Sequence, residues 1–311
     1  MDIFERLTNR IDLLPDGAAK TGLAAVKLHI GTAIRHLDRG EESRDETAFT
    51  DAILRCNHAF EGSVKEAYRV LAGQDPKNKT PALIETYMKE NDVLRTKVLA
   101  QFENYRKEWR NPSTHNYLLD FDSNEALLAI VSVTVFAVVL CDQIRGKLAF
   151  DAANRNADHS GAKTPTNKPL AEQVSAIVRQ FAIEATSGNI DSLNFDLGTV
   201  DDALAGYLSG EWASDKGITI ELEADLAYGD DESTYADILV TRGSEIVAIE
   251  SRSRNSYVGT GKMAPTINML DTLISIGSIT GAVLFLVDDN HDYSSPGKQL
   301  RNLTDKILIV G

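Results

Sequence analysis

The sequence predicts an α plus α/β protein with two domains: an all-helical bundle over residues 1–150 and a mixed-sheet α/β domain over residues 170–311. Three observations predict this class. The length of 311 residues exceeds that of an ordinary single domain. Apolar residues recur with a helical period before residue 150, whereas strand patterns appear after residue 217. Between the two, residues 151–169 hold almost no large apolar side chain, which predicts a linker.

Helical patterns fill the first domain. Leu23–Leu37 and Thr47–Leu71 carry apolar residues three or four positions apart. Thr80 followed by Pro81 predicts a helix start, because Thr caps helices and Pro fits their first turn. The longest apolar run, Ala126–Cys141, has 16 residues, fewer than the roughly 20 that span a bilayer. It therefore predicts the central buried helix of a bundle and not a membrane segment.

Strands dominate the second domain after two helices. Helical periodicity covers Leu170–Thr186 and Val200–Leu208. Ile218–Tyr228 alternates apolar and polar residues, which is typical of a half-buried strand. Ala282–Val287 and Ile307–Val310 are continuous apolar strands. The predicted order is two helices, three strands, a helix, a strand, a helix and a strand around a mixed sheet.

Composition and charge exclude several classes of protein. Hydrophobic residues at 43% and charged residues at 25% exclude a collagen-like or disordered chain. A net charge of −14 excludes non-specific coating of nucleic acid or anionic membrane. Residues 1–150 carry 20 basic and 22 acidic groups and residues 151–311 carry 12 and 24, so the first half is the better candidate for contact with nucleic acid. Two cysteines without CxxC spacing and no secretory signal predict a cytoplasmic protein with no membrane partner.

The segment Glu108–Tyr117 holds the most informative motif, which contains Arg110, Asn111, Pro112 and His115. Asn111 before Pro112 predicts a helix N-cap, so Arg110 is expected at a helix mouth whose free amides favour anions. His115 is expected one turn inside that helix. RNA cleavage without a metal needs a cation that stabilises the transition state and a group that transfers a proton near neutral pH. A guanidinium and an imidazole supply these two functions. Each chain supplies one Arg and one His, which are few groups for acid–base catalysis, so we expect a two-fold dimer that brings two such pairs together.

This Arg-Asn-Pro-Ser-Thr-His segment resembles the Arg-polar-x-x-x-His signature of the HEPN superfamily, in a match that covers about residues 20–150. The resemblance implies a metal-independent endoribonuclease of a toxin or phage-defence type that needs no cofactor. It also implies a homodimer in which Arg110 and His115 of both subunits act on RNA in a shared cleft, with Asn111 as their polar neighbour. A further polar residue is expected from an earlier helix. Three candidates for it are Glu61, Asn57 and His58.

Two alternatives to a catalytic motif stay open. Arg110 could pair with a surface carboxylate such as Glu108 or Glu103, and His115 could be an ordinary helix-surface histidine. Some HEPN domains bind without cutting, which would make the chain a non-catalytic adaptor for RNA or an antitoxin.

A second candidate site lies on a predicted hairpin. The Gly243-Ser244 turn sets Asp237 directly opposite Glu250, with Arg252 on the same face. Opposed carboxylates repel each other, so the pair is expected to need a cation. A divalent metal such as Mg²⁺, which activates water, is one candidate for it.

Residues 170–311 resemble the PD-(D/E)xK nuclease fold, in which an Asp ends one strand and a Glu-x-Lys follows on the next. Arg252 stands where that family has Lys, and arginine cannot shuttle protons. The family also uses an acid from its first helix, for which Glu172 and Glu184 are candidates. Three interpretations stay open. The domain could be a degenerate nuclease fold whose role is to sense a trigger ligand, DNA or an antitoxin. It could be a metal-dependent DNA nuclease that uses Asp237 and Glu250, or the hairpin could be purely structural.

Overall fold

The computed structural model describes residues 2–94, 96–115, 120–160, 168–186, 198–229, 232–253, 264–287, 300–304 and 306–310. The chain divides into two compact units, Met1–Lys147 and Leu148–Gly311. The first unit is helical, and the second combines helices with a mixed sheet. The predicted class of α plus β is therefore confirmed.

The first unit is built from helices that bury the predicted apolar stripes. Its helices are α1 (Ile3–Asp12), α2 (Ala18–Ser43), α3 (Thr47–Leu71), α4 (Pro81–Glu90), α5 (Thr96–Tyr105), α6 (Asn111–His115) and α7 (Ser123–Ser160), the last of which continues into the second unit. Helix α4 begins as predicted, with the Thr80 hydroxyl accepting a hydrogen bond from the Leu83 amide at 3.3 Å and Pro81 in the first turn. Both cysteines, Cys56 and Cys141, are free and buried.

A π-helical segment, Arg106–Arg110, joins α5 to α6 without a break. Asn111 has helical dihedral angles, φ −68° and ψ −48°, and its amide donates to the carbonyl of Arg106, five residues back. The prediction that Asn111 caps a new helix is therefore wrong, and Arg110 does not lie at a helix mouth. The physical reason is Pro112, which has no amide hydrogen and crowds the preceding turn, so the helix widens locally and does not end.

Helix α7 contains the predicted apolar run and extends well beyond it. Within the described residues, it is the one helix long and apolar enough to cross a membrane by length and composition, and 56% of its most apolar stretch is buried. That burial is consistent with the core helix of a soluble protein. Five large apolar side chains of this helix nevertheless remain exposed: Leu127, Leu128, Val131, Val135 and Val139.

The last turns of α7 occupy the start of the predicted linker. Residues 151–160 are helical, and residues 161–167 lie outside the described part of the chain. Three alanines of α7 are buried in the core of the second unit: Ala149, Ala153 and Ala157. A Cβ atom added at Gly206 would lie 2.2 Å from the Phe150 carbonyl oxygen, and one at Gly210 would lie 2.5 Å from that of Asn154. Small side chains near Asn154 and Ala157 let the two backbones touch, so the described part of the predicted linker, residues 151–160, is helix that packs within the second unit.

The second unit is built around one six-stranded sheet with strand order β1-β2-β3-β4-β6-β5. Its remaining elements are α8 (Leu170–Thr186), α9 (Val200–Glu211), β1 (Ile218–Ala227), β2 (Ser233–Arg242), β3 (Glu245–Ser253), α10 (Ala264–Ser275), β4 (Gly281–Val287), β5 (Leu300–Thr304) and β6 (Ile307–Val310). Strands β1 to β3 are antiparallel, β3, β4 and β6 are parallel, and β5 is antiparallel to β6. A helix was predicted between β4 and the last strand, but the described segment there, Leu300–Thr304, is the strand β5.

The hairpin between β2 and β3 has the register that its two-residue turn predicts. Arg242 pairs with Glu245, and Ile238 pairs with Ile249. Ile238 and Ile249 are buried in the main core of this unit, against α8 and α9. This packing fixes which face of the hairpin carries Asp237.

Replacing Gly206 by alanine tests the backbone contact between α7 and α9. We expect Gly206→Ala to lower the free energy of unfolding of the second unit by about 2 kcal/mol or more, because the new methyl group overlaps a carbonyl that cannot turn away. Gly229→Ala is the control, since a Cβ there meets no atom within 4 Å. Urea unfolding followed by Trp212 fluorescence in a Trp109→Phe background measures the effect, and equal stability of the two variants would contradict the contact.

Candidate functional site

Arg110, the last residue of the π-helical segment, is held by side chains from two directions. Its Nε and Nη2 atoms donate to Oε1 of Glu61 on α3 at 3.2 and 3.1 Å. Its Nη1 atom donates to the Asn111 side-chain oxygen at 3.3 Å. The side chains of Arg110 and Glu61 are 24% and 29% exposed, so the pair is partly accessible to a ligand. The structure therefore joins Glu61, one of the three open candidates, to the motif arginine.

Asn57, the second candidate, is a structural residue that fastens α6 to α3. It is buried, and its Nδ2 atom donates to the Ser113 hydroxyl oxygen at 2.7 Å. The Tyr105 hydroxyl donates to its Oδ1 atom at 3.3 Å. Ser113 in turn donates to the carbonyl of Trp109 at 2.7 Å. These bonds hold the turn that carries the motif in place.

The other end of the π-helical segment is fixed by Arg106. Its guanidinium forms a two-pronged ion pair with Glu85 on α4, with Nη2 to Oε1 at 3.1 Å and Nε to Oε2 as the second contact. Beneath the segment, the ring of Tyr105 stacks on Phe60 with 4.7 Å between ring centroids. A wide helical turn anchored at both ends gives Arg110 a defined direction, which is what preorganised charge stabilisation requires.

His58, the third candidate, lies one turn before Glu61 on α3 and is exposed. Its ring packs edge-to-face on His29 of α2, with centroids 5.1 Å apart. Burial, followed by the nearby His58 and Arg55, lowers the pKa of His29 below its ordinary value. The three candidates from α3 thus serve three different roles.

His115 is the last residue of α6, and its side chain lies outside the described part of the structure. Arg110, Asn111 and Glu61 are therefore the members of the predicted site whose contacts are known. A partly exposed guanidinium with two fixed neighbours can stabilise a developing negative charge, such as that on a phosphorus centre under attack.

In the second unit, Asp237, Glu250 and Arg252 do come together. Arg252 donates from Nη1 to Asp237 Oδ2 at 2.8 Å and from Nη2 to Glu250 Oε2. The amide of Ser251 also donates to Asp237 Oδ2, at 2.9 Å. Glu250 is 1% exposed, and burial, followed by the Asp237 carboxylate, raises its pKa to about 7. The repulsion expected between the carboxylates is offset by a guanidinium of the protein itself.

Asp201 at the start of α9 joins this acidic group, which the sequence did not indicate. Burial raises its pKa to about 7, and the Asp237 carboxylate adds to that effect. The acids proposed from the first helix are engaged elsewhere: Glu172 pairs with Lys168 at 3.3 Å and Glu184 accepts from Gln180 at 2.7 Å. The sequence does not single out Asp201, because an Asp in the first turn of a helix ordinarily serves to stabilise the helix dipole.

The acidic group does not fit Mg²⁺ as it stands. Arg252 already places a positive charge against Oδ2 of Asp237 and Oε2 of Glu250, and it would repel a cation bound to the same two carboxylates. Within the described residues, no set of three or more His, Cys, Asp or Glu side chains is arranged to hold a metal ion. Arg252 therefore supplies, from within the chain, the positive charge that Asp237 and Glu250 were expected to need.

No protein-family model, curated protein or solved structure matches this chain.

The acidic cluster predicts how stability changes with pH. Both raised pKa values mean that, between about pH 5 and about pH 7, the folded state binds protons that the unfolded state releases. The free energy of unfolding of the second unit should therefore fall as pH rises through that window, by on the order of 2 kcal/mol for each of the two groups. Glu250→Gln should flatten the fall, because the amide does not titrate.

Urea unfolding at several pH values, followed through Trp212 in the Trp109→Phe background, measures this dependence. Glu232→Gln, which alters an exposed carboxylate, is the matched control and should leave the slope unchanged. A Glu250→Gln variant with the same pH slope as the parent protein would show that Glu250 titrates normally.

Proposed function

We propose that the chain is a metal-independent endoribonuclease of a toxin or phage-defence type, with a HEPN-like N-terminal unit that cuts RNA in the cytoplasm. The observation that carries the proposal is the geometry of Arg110, whose guanidinium is partly exposed and oriented by Glu61 and Asn111 within the motif-bearing segment. The π-helical turn adds support, because such turns occur frequently at functional sites.

The proposed reaction uses the 2′-hydroxyl of the RNA as nucleophile. A base removes the proton of that hydroxyl, its oxygen attacks the adjacent phosphorus, and the bond from phosphorus to the 5′-oxygen breaks as that oxygen takes up a proton. The products are a 2′,3′-cyclic phosphate and a 5′-hydroxyl. Arg110 stabilises the negative charge that develops at the phosphorus centre, and Asn111 contacts the phosphate. His115 transfers a proton, as the base for the 2′-hydroxyl or the acid for the 5′-oxygen. Glu61 is a positioning residue that acts through Arg110.

For the second unit we propose a PD-(D/E)xK-like domain that senses a trigger ligand, DNA or an antitoxin without cutting. The ion pairs of Arg252 with Asp237 and Glu250 support this role, because they neutralise the carboxylates that a metal-dependent nuclease would use. The alternative is a metal-dependent DNA nuclease, and a cleavage assay with a chelator distinguishes it from a sensing domain.

We further propose that two chains pair through the exposed face of α7. Val131, Val135 and Val139 recur every four residues and line a groove together with Val98 and Gln101 of α5. No charged residue occurs between Glu125 and Asp142. An uncharged aliphatic stripe complements a second copy of itself, which is what a two-fold interface requires.

The ribonuclease proposal predicts cleavage that survives a chelator. The wild-type chain should cut a mixed-sequence RNA in EDTA and leave cyclic-phosphate ends. Arg110→Ala should lower the rate by about 100-fold or more, because one charge-stabilising donor contributes on that scale. His115→Ala should lower it similarly, through loss of proton transfer. Arg35→Ala, which removes an exposed arginine of α2, is the control and should cut normally.

Other outcomes of this assay identify the alternatives. Activity on DNA that EDTA abolishes, and that Asp237→Asn and Glu250→Gln remove, would assign catalysis to the second unit. RNA binding with no cleavage, unchanged by His115→Ala, would identify a non-catalytic adaptor and contradict the proposal.

The pairing proposal predicts a two-chain particle in solution. Val135→Asp should convert it to a single chain, because a buried carboxylate would then face its own copy across the two-fold axis. Leu28→Asp, at an exposed apolar residue of α2, should leave the mass unchanged. Light scattering after size exclusion measures both, and a wild-type chain that is monomeric at micromolar concentration would contradict the pairing.

A further inference from the structure

A pair of imidazoles lies on the face that α2 and α3 share, outside the motif. His29 and His58 pack edge-to-face with ring centroids 5.1 Å apart. Arg55 precedes His58 by three residues on α3, which puts the two side chains on neighbouring positions of one helix face, and its charge contributes to the lowered pKa of His29. Three groups that are cations or hydrogen-bond donors therefore share one face of the α2–α3 pair. Because they repel one another when charged, an anion bound among them would relieve the repulsion.

The surroundings of this spot leave its positive charge uncompensated. Each acidic residue of α3 is already paired with a cation: Asp51 with Arg39, Glu61 with Arg110, and Glu66 with Arg69. Within the described part of the chain, no ion pair involves Arg55. On α2, residues 22–36 contain no acidic residue. The face is thus locally basic on a protein whose net charge is −14.

The imidazole pair is adjacent to the proposed catalytic arginine. His58 precedes Glu61 by three residues, which puts both side chains on neighbouring positions of one helix face. Glu61 Oε1 accepts two hydrogen bonds from Arg110. An extended strand whose scissile phosphate meets Arg110 would therefore bring a neighbouring phosphate over His58. His58 is exposed and His29 half-buried, so one ring can meet the strand while the other supports it.

We propose that His29, His58 and Arg55 form a phosphate-binding subsite for the RNA strand, next to the Arg110 site on the α2–α3 face. The ligand class is the phosphodiester backbone of single-stranded RNA, which is recognised by charge and hydrogen bonds and not by base identity. The inference rests on the proposed ribonuclease function for the identity of its ligand.

The test is binding of an RNA hexanucleotide with 2′-O-methyl groups, which cannot be cleaved. Fluorescence anisotropy should show binding about tenfold weaker for His58→Ala and for Arg55→Ala, because each removes a donor to the phosphate. His36→Ala, which removes another α2 imidazole, should bind as the wild type does. The salt dependence of binding should be shallower for Arg55→Ala, since one fewer charge is neutralised.

Imidazole NMR signals give a second readout that does not depend on the variants. Titration with the hexanucleotide, and with inorganic phosphate as the free-anion probe, should shift the signals of His29 and His58 and leave that of His36 in place. Shifts from phosphate alone, without hexanucleotide binding, would overturn the RNA assignment. Binding within twofold of wild type in both Arg55→Ala and His58→Ala would overturn the subsite.

Cleavage assays separate this inference from the function on which it rests. If the chain cuts RNA and the Arg55→Ala and His58→Ala variants keep the wild-type KM, the subsite is wrong and the ribonuclease stands. If the chain cuts no RNA but binds the hexanucleotide through these residues, the ribonuclease is wrong and the subsite stands.

Discussion

The candidate site depends on how one helix passes Pro112. The proline removes an amide hydrogen and crowds the turn before it, and the chain responds with the π-helical segment Arg106–Arg110. One extra residue in a turn rotates the later residues of the helix by about 100° relative to a regular helix. Arg110 then meets Glu61 of α3, while Arg106 at the start of the segment is fixed on Glu85 of α4. The arrangement of the candidate site in the first unit is a consequence of this local geometry.

Two arginines illustrate how partners decide what a guanidinium can do. Arg110 shares its charge with one carboxylate at a partly exposed position, which suits it to meet an anion. Arg252 lies between two carboxylates, one of them fully buried, and it compensates charge that the protein has already placed there. The same residue type thus fits the proposed catalytic role in the first unit, whereas in the second unit it compensates carboxylates. A lysine at position 252 could not bridge both carboxylates with the same planar geometry.

The sequence predicted most of the elements, because apolar periodicity and turn chemistry are local. Thr80 and Pro81 start a helix as expected, and the turn at Gly243 sets the hairpin register. It did not predict the continuous helix at Asn111, because the Asn-Pro pair that usually starts a helix also fits a widened turn. It left Glu61 open among three candidates, because helix spacing gives a face and not the neighbour across from it. Asp201 came from another element altogether, and only tertiary packing brings it to Asp237.

The contact between α7 and α9 bears on how the second unit can be isolated. Ala149 and Ala153 belong to the core of this unit, and the carbonyls of Phe150 and Asn154 lie against Gly206 and Gly210. A fragment cut at residue 151, where composition suggests a boundary, would lose one of these contacts and expose the surface beneath it. The shortest C-terminal piece that keeps its own core therefore begins no later than Leu148, inside a helix, and proteolysis or expression experiments should choose their start accordingly.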